Sequence, residues 1–206
     1  MLAASVSGAS DETAGSSTEP VYRTPDQALV DIIDAPKTPR FSMGPDREWA
    51  VLVGRPGYPS IAELSEPELR LAGIRIKPDS FSPSRVWPND SLEFLRIADN
   101  ERREVRGLPE PRRLNNITWS PDGLRIAFTN TTPNGVELWT ADVATGQARR
   151  LTEPIVSLTT GNAPEWMRDS ESLLCCMVVE GRGPAPAAPR VPEGPVIQES
   201  TGEEAP

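Results

Sequence analysis

Histidine is absent from the 206 residues, and no other absence excludes so much. The usual general base and the commonest metal ligand are missing. No fold of this chain can assemble a Ser-His-Asp triad, and no Gly-x-Ser-x-Gly nucleophile elbow is present. Cysteine is nearly absent too. The only two, Cys175 and Cys176, are adjacent. Neighbouring cysteines rarely bond to each other, because the ring strains the peptide. Alternating across a strand, they read as small apolar residues rather than a redox pair or metal ligands, and they do not fix the compartment. No apolar run approaches the ~20 residues of a membrane span. Met1-Leu2-Ala3-Ala4-Ser5 has neither a basic nor an apolar leader region, so no intact signal peptide is visible. Cytoplasmic residence is the default; a periplasmic or secreted protein would need a start further upstream. The net charge of −9 argues against nucleic acid as partner, since phosphate wants Lys/Arg stripes. It reads as a solubility charge. Aromatics are only 5 % of the chain and prolines number 23, which confines the core-forming stretches to part of the length.

What is present is concentrated in Ile117–Thr152. Four short apolar strands there are separated by three turn signals: Trp119-Ser120-Pro121-Asp122-Gly123, Asn134-Gly135 and Thr145-Gly146. Asn-Gly is a hairpin turn with positive φ. Four antiparallel strands in so short a stretch predict one blade of a β-propeller. A blade cannot bury both faces alone, so the rest of the chain must supply neighbours.

It does, in weaker copies. Residues 1–20 are Ser, Gly, Ala, Thr and acid without periodicity, a flexible tail. Thr24-Pro25-Asp26-Gln27 is a capping box opening a helix from Pro25 to about Asp34, with Leu29, Val30, Ile32 and Ile33 as its apolar face. Phe41-Ser42…Pro45-Asp46…Trp49-Ala50-Val51-Leu52-Val53 repeats the aromatic-Ser, Pro-Asp, apolar-strand order of 119–128. Leu92–Leu108 copies Val136–Thr152 at an offset of 44 residues. Blade one is therefore 41–108, split by an insertion at 54–87; blade two is 114–152. Trp166…Arg168-Asp169-Ser170…Leu173-Leu174 begins a half blade at 164–179, and 181–206 is a Pro/Gly-rich loop or tail. The fold class predicted is all-β: an incomplete propeller of about two and a half blades, with two short helices and disordered tails. The second helix is expected after a capping box at Ser65-Glu66-Pro67-Glu68, with Gly73 as its stop. Uncovered blade faces predict a broad, weakly cooperative melt.

Candidate chemistry is sparse. Glu63, Glu66 and Glu68 invite an acid/base pair, but Glu66 and Glu68 in a first helical turn are explained by the macrodipole. Ser60, Ser84 and Ser120 sit in turns and read as turn formers. No catalytic, cofactor-binding or metal-ligating residue is assigned.

The chain resembles a known family through Asp31-Ile32-Ile33-Asp34-Ala35-Pro36, Phe41-Ser42…Pro45-Asp46…Trp49, Pro59-Ser60-Ile61-Ala62-Glu63-Leu64 and Glu68-Leu69-Arg70-Leu71-Ala72-Gly73-Ile74-Arg75-Ile76. Thr118–Gly123 and Val191-Pro192-Glu193-Gly194-Pro195 fit the same run. It looks like the N-terminal region of the glutamyl endopeptidase branch of the prolyl oligopeptidase family, over about residues 21–200. The resemblance implies a propeller that screens peptide access to a C-terminal α/β-hydrolase domain carrying a Ser-Asp-His triad. This chain holds only the first part of such a propeller. The implied partners are the missing hydrolase part or another propeller segment, with peptides as substrates of the parent enzyme. The chain itself is then no enzyme. The alternative is a free-standing partial-propeller module that closes by oligomerisation or with a partner chain.

Overall fold

The computed structural model describes residues 25–181 and Gly183. The tails expected at 1–20 and 181–206 therefore lie, those two glycines apart, outside the described residues. The chain divides after Ala35. Before the division stands one helix, α1 (Gln27–Ile33), with Asp26 at its N-cap and no side-chain capping bond. Pro25 thus precedes the cap instead of opening the helix. No residue of α1 is buried.

After the division the elements are β1 (Arg40–Met43), β2 (Trp49–Gly54), α2 (Ile61–Ser65), β3 (Leu69–Leu71), β4 (Ile74–Lys77), β5 (Ser82–Pro83), β6 (Ser91–Arg96) and β7 (Arg102–Glu104). Then follow β8 (Leu114–Trp119), β9 (Arg125–Thr132), β10 (Gly135–Asp142), β11 (Ala148–Arg150), β12 (Glu165–Trp166) and β13 (Leu173–Leu174). Pairing gives two four-stranded antiparallel meanders, β1-β2-β6-β7 and β8-β9-β10-β11, a β12-β13 hairpin and a small β3-β4-β5 sheet. None of these sheets closes on itself. The architecture is an incomplete propeller of about two and a half blades, all-β with two short helices.

Alternation explains how the sheets stack. Val51, Val53, Leu92, Phe94 and Val105 point from the first meander, and Leu114, Ile126, Phe128, Ala141 and Val143 from the second, into one buried cluster. The opposite face of β10 carries Val136 and Leu138, which pack with Val156 and Leu158 and against Leu173 and Cys175. The second meander is thus covered on both faces. The first is covered on one; on its other face Phe41 and Met43 are 51 % and 46 % exposed.

The repeats superpose in backbone detail. Arg47, Gly123 and Ser170 occupy the same turn position, all left-handed, at φ 61°, 73° and 58°. Only the second is the glycine that this conformation favours. The turns also touch. Asp46 is the nearest neighbour of the Gly123 α-carbon's open side, and the Asp122 N–H donates to Ser170 Oγ at 3.0 Å. The blade-to-blade junction recurs as well. Asn89 and Leu114 exchange backbone hydrogen bonds of 2.8 and 2.9 Å, and the Val156 N–H donates to the Val136 carbonyl at 3.0 Å.

Four local expectations are corrected. The helix expected from Ser65 does not form: Glu66 closes α2, and Leu69–Lys77 is a β-hairpin. Its turn residues, Ala72 and Gly73, both have positive φ (48° and 85°), so Gly73 closes a hairpin rather than a helix. The capping box exists, but between Ser60 and Glu63. The Asn134-Gly135 turn is centred one residue earlier, because Thr132 pairs with Gly135. Gly135 is needed for a close approach: a Cβ there would lie 2.0 Å from the Pro154 carbonyl oxygen. The outer turns align Arg96 with Asp142 and Asn100 with Gly146, two positions further apart than the spacing of 44. In the half blade, the first strand is broken. Val156 pairs with Met177 and Glu165 with Leu174, so the chain between them leaves the ladder.

Candidate functional site

The residues singled out by chemistry are all engaged in structure. Ser60 Oγ accepts the Glu63 N–H at 3.1 Å, and the Ser60 N–H donates to Glu63 Oε2 at 3.0 Å. Ser120 Oγ is bonded to Asp122 at 2.6 Å, inside the turn it was assigned to. Ser84 Oγ donates to Glu68 at 2.8 Å. Cys175 is half-buried, and burial pushes its thiol above the ordinary value. Among the described residues no group of His, Cys, Asp and Glu could hold a metal, and no helix is long and apolar enough to cross a membrane.

The three carboxylates do not form a pair. Glu63 and Glu66 face Arg113 at 3.0 and 3.9 Å, and Glu66 also meets Lys77. Glu68 is the hub of the insertion. Arg75 reaches it at 2.5 Å, Arg85 at 3.1 Å and Arg70 at 3.2 Å. Its carboxyl is held down at about 2. The Ser84 hydroxyl lowers it most, partial burial opposes this, and the guanidiniums of Arg75, Arg85 and Arg70 add to the lowering. A carboxylate so satisfied is a structural tie, not a proton carrier.

Two adjoining clefts surround the end of the insertion and share Val86 and Trp87. One, of about 460 Å³, has Tyr58, Leu64, Arg85, Arg112 and Arg113 on its walls. The other, of about 620 Å³, is lined by Arg40, Phe41, Arg55, Asn89 and Asn115. Trp87 stands at both, 57 % exposed. The cations of the first cleft are neutralised: Arg85 by Glu68, Arg112 by Glu110 and Arg113 by Glu63. Those of the second are not. Among the described residues the Arg40 guanidinium donates only to Asn89 Oδ1, at 3.2 Å, and Arg55 has no hydrogen-bond or ion-pair partner. Arg40, Arg55, Trp87, Asn89 and Asn115 were not singled out from the sequence. The available signal was an exposed-looking Trp87-Pro88 pair outside any alternating strand.

The packed meanders define the class, a β-propeller part. No protein-family model matches the chain. Among curated proteins it is 34 % identical over 189 residues to a probable chloroplastic glutamyl endopeptidase of Oryza sativa subsp. japonica, covering 86 % of this chain and 20 % of the relative. It is 32 % identical over 185 residues to the Arabidopsis thaliana protein of the same description, covering 84 % and 19 %. The chain spans about one fifth of the length of these relatives. Among solved structures, the Pyrococcus horikoshii acylaminoacyl peptidase matches with a TM-score of 0.42 and 16 % identity, over 70 % of this chain and 18 % of that one. The β-propeller domain of the Trilobed protease from Pyrococcus furiosus matches with a TM-score of 0.38 and 19 % identity, over 68 % and 34 %. The resemblance read from the sequence is borne out by the curated relatives, which are named glutamyl endopeptidases and align with most of this chain.

Proposed function

We propose that the chain is the N-terminal propeller part of a serine peptidase of the prolyl oligopeptidase family, without catalytic activity of its own. In the whole enzyme it would gate peptide access to a C-terminal α/β-hydrolase domain. The division proposed is a split blade one at 41–108, blade two at 114–152 and a half blade at 164–179. The single observation that carries this reading is the match to probable glutamyl endopeptidases over 86 % of the chain but only 20 % of the relative. The lack of histidine supports it, since the triad must come from elsewhere. A serine-directed fluorophosphonate probe tests the catalytic part of the claim. No labelling of the purified chain is expected; stoichiometric labelling of any serine would overturn it. The coding region downstream tests the rest. A continuing propeller followed by a domain with Gly-x-Ser-x-Gly is expected, and unrelated sequence there counts against the reading.

One observation favours the alternative, a module that closes by oligomerisation or with a partner chain. The free face of the first meander exposes Phe41 and Met43, and an uncovered apolar sheet face invites a neighbour. Size-exclusion chromatography separates the two. A discrete oligomer dispersed by Phe41→Glu supports the module, and a monomer unaffected by it removes the module.

A further inference from the structure

We propose that the cleft holding Tyr58 and Trp87 is a docking groove for this chain's own segment Pro184–Pro195, which lies in it as a polyproline II helix. The inference goes beyond the peptidase reading and does not rest on it. The occupant is part of the chain, and no substrate is involved.

Pro186, Pro189, Pro192 and Pro195 recur at a constant interval of three. A polyproline II helix has three residues per turn and rises about 3.1 Å per residue, so this interval sets the four rings along one edge. Arg190 and Glu193 share a neighbouring edge. Proline has no N–H to give a ladder, so a strand beside the half blade is the conformation that this composition suits least. In the polyproline II form the backbone carbonyls have no partner within the helix and need donors from outside. Arg190 and Glu193 cancel, so the segment is neutral although the chain has a net charge of −9.

The cleft of about 460 Å³ has the matching chemistry. Tyr58, Leu64 and Trp87 line it together with Pro56, Pro59 and Pro88, and the first three are each more than half exposed. Exposed apolar side chains gathered at one place mark a contact surface, and grooves lined by aromatic rings are where proline-rich segments dock. Tyr58 is held in place: Lys37 Nζ lies 4.6 Å from its ring centroid and donates to the Gly57 carbonyl at 2.6 Å. The Trp87 indole N–H and the Tyr58 hydroxyl make no hydrogen bond among the described residues, so both can donate to the carbonyls of the segment. The wall arginines already carry glutamates, which suits a neutral occupant. Asp90, on the same walls, has no ion pair among the described residues and can take Arg190. The segment also reaches. The Val178 N–H donates to the Ile155 carbonyl at 2.7 Å, and the Leu158 N–H to the Phe81 carbonyl at 2.8 Å. The path from Val178 through 155–158 and 81–86 to the cleft is thus at most about 40 Å, while the chain from Val178 to Pro195 extends up to about 53 Å.

The test is fluorine NMR on the full chain with 5-fluorotryptophan at its five tryptophans, the Trp87 resonance being assigned by its loss in Trp87→Phe. Replacing two rings of the docking edge, in the double variant Pro189→Glu and Pro192→Glu, is expected to move that resonance to a solvent-exposed position and leave the other tryptophans in place. Ala188→Glu, off that edge, should leave all of them in place. The double variant should also bind a labelled peptide of sequence 184–195 at least tenfold tighter than the parent does, because the parent's groove is filled from within its own chain. Trp87→Ala added to the double variant should remove that gain. These substitutions lie in the segment or at an exposed ring, so circular dichroism should not change. An unmoved Trp87 resonance, equal peptide binding by parent and double variant, or no binding by either would overturn the groove. Equal affinity for a peptide of the same composition with its prolines moved off the interval of three would overturn the polyproline II register. A Trp87 resonance in the parent that shifts with protein concentration would overturn docking within one chain and make the occupant the segment of a second copy.

Discussion

The second meander and the insertion at 54–87 are held together by different forces. In the meander, Ile126, Phe128, Val136 and Ala141 are fully buried, and cores lie on both faces. In the insertion no apolar side chain is fully buried among the described residues, while Tyr58, Ile61, Leu64, Leu71 and Trp87 are more than half exposed. Its small sheet is tied by Glu68 to Arg70, Arg75, Arg85 and Ser84. Apolar burial scales with area, tolerates salt and fails when a cavity opens. Charge-assisted ties are local and answer to pH and salt.

The largest break in that contrast comes from the core. Phe128→Ala should cost about 3–5 kcal/mol, read as a lowered urea midpoint by Trp fluorescence, whereas Leu71→Ala in the insertion should stay within about 0.5 kcal/mol. Equal costs at the two sites would erase the distinction. Next in size is Gly135→Ala. The new Cβ meets the Pro154 carbonyl at 2.0 Å on a backbone of φ 148°, so a loss of more than about 1 kcal/mol is expected; an unchanged urea midpoint would show that the approach can relax.

Acid should act more strongly on the insertion than on the meander, where Asp122 is also held below its ordinary value, chiefly by the Ser120 hydroxyl. The Glu68 carboxyl is lowered in the folded state to about 2 from an ordinary 4.5. Its stabilisation is therefore fully present above pH ~4.5 and is lost as the pH falls through ~2. Hydrogen exchange should show Leu69–Lys77 losing protection over that window in the parent. In Glu68→Gln the protection should be low already at neutral pH and flat across the window. The smallest effect is thermal: insertion amides should open below the temperature at which the Phe128 strand does, broadening the melt. Simultaneous loss at both would contradict the two-force picture.

The turns were legible because they are local. Pro45-Asp46, Pro121-Asp122 and Asp169-Ser170 each fix a tight reversal by their own side chains, as in the Asp169 bonds of 3.0 Å to the Glu171 and Ser172 N–H groups. The hairpin at 69–77 was not legible. Ser65-Glu66-Pro67-Glu68 has a helix-start pattern, and what overrides it is Glu68 gathering arginines from β3, β4 and the segment after β5. Gly135 was legible as a turn residue but not as a contact with Pro154, which lies nineteen positions away. The basic cleft was invisible for the same reason. Arg40, Arg55 and Asn115 come from separate elements, and which arginines lack a carboxylate is known only once the paired ones are counted in space.

The sequence by itself determined the strand alternation, the repeated turns and hence the propeller class. It also shows that the 206 residues hold no histidine. Those follow from residue type and spacing over a few positions. Only the tertiary structure decided that one meander is covered on both faces while the other shows Phe41 and Met43 to solvent. Only the tertiary structure decided that the insertion folds around the Glu68 carboxylate and leaves Arg40 and Arg55, beside Trp87, without a carboxylate partner among the described residues. Both depend on contacts between residues far apart in the chain, where burial and charge compensation are set by packing and not by pattern.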